Sequence, residues 1–191
     1  MALCALLGWN HAASAQPTDS KPVVAVLQPN AVPFSDALLR SLKLPPGFEI
    51  SVFAQGLGNV RWMQVAANGD VYASLRSQGE VLLLRDTDGD GVADVQKTVA
   101  RIARVHGLLL HAGKLYMVSD RALDVADVQS EGTLSAPRRL LNDLPEGGNH
   151  PRRTLGMGPD GWLYLSVGST CNNCLEANPE NATLLRLRPD G

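Results

Sequence analysis

Three short stretches decide the fold of this chain: Gly69-Asp70-Val71-Tyr72, Gly113-Lys114-Leu115-Tyr116 and Gly161-Trp162-Leu163-Tyr164. They lie 44 and 48 residues apart. Each glycine sits where a turn is expected, and each tyrosine falls in the strand-like run that follows. Those runs (VYASL, VLLLR, KLYMVS and WLYLSV) succeed one another with no long helical stretch between them. A second feature repeats in the same frame. Residues 79–89 read GEVLLLRDTDG and residues 183–191 read TLLRLRPDG, each an apolar strand running into a turn. A period in the mid-forties with several strands per unit is the mark of a β-propeller, in which a four-stranded blade buries its faces only against its neighbours. A β-sandwich would give turns every 8–12 residues but not this Gly-x-x-Tyr recurrence. The expected class is therefore all-β. A propeller has at least four blades, and residues 46–191 hold about three repeats. The period thus predicts the N-terminal half of a larger propeller.

Outward from the repeats, the N-terminal region has a different texture. Ala2 to Trp9 is apolar and Ala13-Ser14-Ala15 is a small-residue cleavage pattern, so residues 1–15 read as a signal peptide. Residues 16–45 form a lead-in with Pro17, Pro22, Pro29 and Pro33. Within it, residues 35–43 predict a short helix, with Ser35 as N-cap, Leu38, Leu39 and Leu42 on one face, and Pro45 and Pro46 ending it. No segment reaches the ~20 apolar residues of a membrane span. Lys plus Arg is 17 and Asp plus Glu is 19, with no block of like charge. This argues against a nucleic-acid partner. Export to the periplasm or outside the cell is expected. Once Cys4 leaves with the signal, Cys171 and Cys174 remain as a pair, read as a short-loop disulfide.

Four groups of residues have the types and spacing for chemistry. His150 lies in Gly147-Gly148-Asn149-His150-Pro151, just before the inner strand of the third repeat. A neutral imidazole there can take a proton from a substrate hydroxyl. By spacing alone, a solvated loop histidine is the plainer reading. Arg61 and Arg153 each precede their repeat glycine by eight residues, so they share one rim, where two guanidiniums suit an anion. Asp86, Asp88, Asp90 and Asp94 stand at positions 1, 3, 5 and 9 of a loop with Gly91 at 6, the first part of a calcium loop. Lys97 at position 12 excludes an EF-hand. The choice between a structural calcium loop and an acidic metal-free turn stays open. His106 and His111 have no carboxylate or cysteine at ligand spacing and are read as structural or channel-lining.

Three segments together carry a resemblance: LKLPPGFEISVFAQGL (42–57), GEVLLLRDTDGDGVADV (79–95) and GGNHPRRTLGMGPDGWLYLSVGSTCNNC (147–174). They resemble the glucose/sorbosone dehydrogenase family over residues 42–191. The most telling feature is a histidine ten residues before Asp160, after a glycine-rich loop. The resemblance implies a six-bladed propeller holding pyrroloquinoline quinone (PQQ), and an oxidoreductase acting on a sugar or aldehyde. His150 would then be the general base, and an electron acceptor such as a c-type cytochrome or a quinone would follow. Asn149 stands where soluble glucose dehydrogenases carry an Asp beside the base, so any cofactor contact from it is a hydrogen bond only. Arg61 and Arg153 become candidate cofactor contacts. The family's cofactor-binding calcium and further arginines come from later blades, so the DTDGDGVAD loop is a separate feature and the chain alone is expected to lack a complete site. Two alternatives remain: a calcium-dependent propeller lactonase or other hydrolase, and a non-catalytic propeller that binds carbohydrate or protein.

Overall fold

Strict alternation of side chains along each run builds the blades. In a computed structural model, residue 30 and residues 32–191 are described. The proposed signal segment and half of the lead-in lie outside them. The segment ending at Lys43 is one unit and residues 44–191 are another. In the first, α1 spans Asp36–Ser41 and Ser35 caps it, its side chain accepting from the Leu38 N–H at 3.2 Å. The helix ends two residues before the expected Lys43. Ser41 Oγ bonds back to the Leu38 carbonyl, and Leu42 is already extended.

The second unit holds eleven strands in three antiparallel sheets. The first sheet orders β1 (Val60–Val65), β2 (Val71–Leu75), β3 (Glu80–Arg85) and β4 (Val95–Arg101). The second orders β5 (Gly107–His111), β6 (Lys114–Val118), β7 (Leu123–Asp127) and β8 (Arg138–Leu141). The third pairs β9 (Leu155–Met157), β10 (Leu163–Val167) and β11 (Thr183–Leu187). Each is an up-and-down meander, and the first strands β1, β5 and β9 touch in succession. This is the blade arrangement the repeat predicted, with the first strand of each blade innermost.

Two apolar layers join the blades. Tyr72, Val81 and Leu83 of the first blade meet Leu108, Leu115 and Met117 of the second. The other face of the second, Tyr116, Val118 and Leu123, meets Leu155, Leu163 and Leu165 of the third. Period-two alternation therefore sends every second residue of β6 to a different neighbour. The outermost faces are more open. Met63 and Val65 are 60% and 67% exposed on the first blade, and Leu184 is 64% exposed on the third. In a closed propeller such faces pack against further blades.

The repeated tyrosine has a specific task. Tyr72 Oη donates to the Gly132 carbonyl in the second blade at 2.8 Å, and Tyr116 Oη reaches the Pro189 carbonyl in the third at 3.4 Å. Tyr164 bonds within its own blade, to Asp160 at 2.9 Å. The Tyr72 and Tyr116 hydroxyls are thus inter-blade ties. Tyr72→Phe is expected to cost about 1 kcal/mol, the net worth of one such bond, and Tyr116→Phe less because its bond is longer. Urea unfolding of both variants checks this order.

Candidate functional site

A meander alternates its connections between two ends, and this sorts the candidate residues. The β2–β3, β4–β5, β6–β7, β8–β9 and β10–β11 connections share one end. His150, Asn149 and Arg153 lie in the β8–β9 connection, and Cys171–Cys174 in the β10–β11 connection. Arg61 lies near the start of β1, at that same end. The acidic loop of residues 86–94 joins β3 to β4 at the opposite end.

The His150 loop is locked against the loop after β10 by backbone contacts. The Asn149 N–H donates to the Thr170 carbonyl at 2.9 Å, and the His150 N–H to the Gly147 carbonyl at 2.7 Å. Gly148 adopts φ +45°, and a Cβ there would fall 2.2 Å from the Thr170 carbonyl oxygen. A Cβ on Gly168 would fall 2.3 Å from the His150 carbonyl oxygen. The glycines flanking the histidine are therefore required by close approach. The His150 side chain is exposed, and its Nε2 lies 2.8 Å from Asn172 Oδ1. Asn149 is exposed beside it.

Arg153 and Arg61 share a repeat position but not an environment. Arg61 is exposed and sits at a β-bulge, where the register shifts between Val60 and Trp62. Bulges re-aim side chains in this way. Arg153 is completely buried. Its guanidinium donates to the Pro145 carbonyl at 2.7 Å and to the His150 carbonyl at 3.5 Å, and its Nε has no partner. Burial pulls the Arg153 pKa down, while Asp120 opposes that shift. The side chain braces the histidine loop from beneath. This changes the reading of Arg153 from a cofactor contact to a positioning group, because it is sealed from solvent and its guanidinium donates to loop carbonyls.

Several residues of this end escaped the sequence analysis. Asp120 is buried and accepts two bonds from Arg76, at 2.9 and 2.8 Å, with Arg104 3.2 Å away. Asp120 and Arg76 each follow their repeat glycine by seven residues, so aligning the repeats would have paired them. His106 is buried and its Nδ1 lies 2.9 Å from the Arg153 carbonyl, while its own carbonyl accepts from Ser74 Oγ at 2.5 Å. Burial pushes its pKa down, the Arg153 carbonyl opposes this, and the charges of Arg61, Arg152 and Arg76 push it down further. His106 is thus a structural link through three blades, the first of its two expected readings. His111 is exposed at the end of β5. Arg61 and Arg152 are both exposed at this end.

The acidic loop gathers three of its four expected ligands. Oxygen atoms of Asp86, Asp88 and Asp94 lie within 4.8 Å of one another. Asp90 is not in this group; its carboxylate accepts from the Val92 N–H at 2.8 Å. The backbone N–H groups of Gly91 and Gly89 hold the Asp86 pKa down, and the Thr87 hydroxyl does the same for Asp94. Ionised oxygens brought together suit a hard cation.

The three meanders are blades of a β-propeller, and the solved structures that share this fold include PQQ-binding sugar dehydrogenases. The PQQ domain of a pyranose dehydrogenase from Coprinopsis cinerea superposes with a TM-score of 0.61 at 20% identity, covering 68% of this chain and 32% of that one. The PQQ-bound aldose sugar dehydrogenase from Streptomyces coelicolor gives 0.59 at 18% identity, covering 74% and 48%. A calcium structure of a carbohydrate-active enzyme of family AA12 from Trichoderma reesei gives 0.58 at 21% identity, covering 67% and 34%. The chain spans between about a third and a half of these proteins. No family model and no curated protein matches it.

Proposed function

We propose that this chain forms the N-terminal blades of a PQQ-dependent sugar dehydrogenase acting on a sugar hydroxyl or aldehyde. The observation that carries the reading is His150, exposed on a glycine-locked loop at the same end of the blades as exposed Arg61 and Arg152. The residues present fit the quinone: it is a polycarboxylate, and exposed Arg61 and Arg152 offer guanidiniums to an anion. When bound, PQQ supplies the hydride acceptor. The chain's own part is the proton. His150 takes it from the substrate hydroxyl as the C–H bond breaks. Asn149 offers an amide for a hydrogen bond beside the base, and Arg153 keeps the loop in place. The buried Asp120 neutralises Arg76 and leaves the exposed arginines for the ligand.

The Cys171–Cys174 disulfide favours an oxidising compartment, in line with the periplasm or outside the cell. A c-type cytochrome or a quinone is the proposed acceptor, and among the described residues no helix is long and apolar enough to cross a membrane. Among the described residues the three-carboxylate cluster lies in the loop at the end opposite His150, which counts against a calcium-dependent hydrolase with its metal at the channel. The test is PQQ titration with dye-linked oxidation of a sugar panel by the full-length protein. Stoichiometric binding and dye reduction with at least one sugar support the reading. No binding and no oxidation would leave a carbohydrate- or protein-binding propeller.

The acidic loop is assigned a structural calcium ion on Asp86, Asp88 and Asp94. Saturating calcium is expected to stabilise the protein by about 2–3 kcal/mol at a hundredfold excess over Kd. Asp88→Asn keeps the side-chain shape, removes one charge, and is expected to abolish that gain in a thermal melt. An equal gain in the variant would show a metal-free turn.

A further inference from the structure

The contact between His150 Nε2 and Asn172 Oδ1 has a chemical consequence for the ring. An amide oxygen carries no proton, so a 2.8 Å bond to it requires hydrogen on Nε2. The lone pair is then left on Nδ1. We propose that Asn172 is a positioning residue: its amide oxygen holds the His150 ring in the Nε2–H form, and the Cys171–Cys174 disulfide holds that amide in place.

The local architecture supports this division. Asn172 is one of only two residues enclosed by the disulfide, whose Cα atoms are 6.0 Å apart. The loop is anchored behind it by Glu176, which accepts from the Thr170 N–H at 2.8 Å and from Thr170 Oγ1 at 2.7 Å, and also from Ser169 Oγ. It is anchored in front by the Asn149 N–H on the Thr170 carbonyl. Gly148 and Gly168 let the two backbones meet with no room for a side chain. Both ring and amide are exposed, so water competes for their bond. A free four-residue loop would lose that competition through conformational entropy, and the cross-link removes much of that loss. Reduction of the disulfide should therefore release the ring without unfolding the blades.

For its effect on turnover the proposal rests on His150 being the base; for its effect on the ring it does not. The first readout is therefore spectroscopic, on the full-length protein with 15N-labelled histidine, taken on the neutral form of the ring. The expected result is a protonated Nε2 whose N–H proton is protected from water exchange, with an unprotonated Nδ1. Asn172→Ala and Cys171→Ser/Cys174→Ser should each lose the protected signal while the backbone spectrum stays folded. Asn172→Asp, which keeps an acceptor oxygen, should retain it. The second readout is kinetic. Asn172→Ala should lower kcat by about tenfold with KM nearly unchanged, and Asn172→Asp should restore most of it. A protonated Nδ1, or a protected Nε2–H that survives Asn172→Ala, would overturn the positioning role. If the signal is lost but kcat holds, while His150→Ala abolishes turnover, the bond has no catalytic role and the proposal fails there. Full turnover in His150→Ala would instead sink the base assignment and leave the ring assignment to the spectrum.

Discussion

His150→Ala is expected to cut sugar oxidation by roughly 10²–10⁴-fold, the usual contribution of a positioned general base, while PQQ binding changes little. The separation follows from where the groups sit. The cations available to the quinone, Arg61 and Arg152, come from the start of β1 and from the residues before β9, and neither is hydrogen-bonded to the His150 side chain. The imidazole is exposed and makes one side-chain contact, to Asn172, so truncating it leaves no buried group unpaired. Folding should therefore be untouched. Single-turnover reduction of the PQQ-loaded protein, set beside a PQQ titration, reads the two effects separately. Loss of PQQ binding in the variant would make His150 a ligand group, and unchanged turnover would remove it from the chemistry.

Arg153→Ala carries the second large effect, this time on stability. A fully buried side chain of this size leaves a cavity when truncated, and the Pro145 carbonyl loses its 2.7 Å donor. Together these are expected to cost about 3 kcal/mol, or a Tm drop of roughly 6–12 °C for a domain of this size. Arg153→Met tests the split between packing and hydrogen bonding. It refills most of the volume and removes a buried cation whose Nε is unpaired, so it should cost only about 1–2 kcal/mol. Both variants should lose turnover, because neither can hold the carbonyls of the His150 loop. A thermal melt with kcat measured below the transition gives both readouts. A fully stable and fully active Arg153→Ala would show that the loop holds itself through Gly148, Gly168 and Thr170 alone.

The two arginines show what a repeat can and cannot reveal. Arg61 and Arg153 hold the same place in the sequence repeat, and a shared role at one rim is the natural inference. In the structure one is solvated on a bulge and the other is sealed beneath a loop. Repeat position fixes where the backbone goes, but the loop that folds over it decides whether the side chain meets solvent. The acidic loop behaves similarly. Its spacing brought Asp86, Asp88 and Asp94 together, because alternate residues of a tight turn converge, while Asp90, at the same spacing, faces the Val92 N–H instead.

The sequence by itself determined the propeller class. A Gly-x-x-Tyr period near one blade length is a local pattern, and its physical cause is local too: a turn glycine, then a strand whose alternate residues face two neighbours. It also determined that His150 and the Cys171/Cys174 pair were the residues to examine. Only the tertiary structure decided that Asn172 meets His150, that Arg76 and Asp120 pair across blades, and that Arg153 is buried. These are contacts between different blades or different loops, spanning 22 to 44 residues for the first two. They depend on how blades pack about a common axis, and no one-dimensional period encodes that packing.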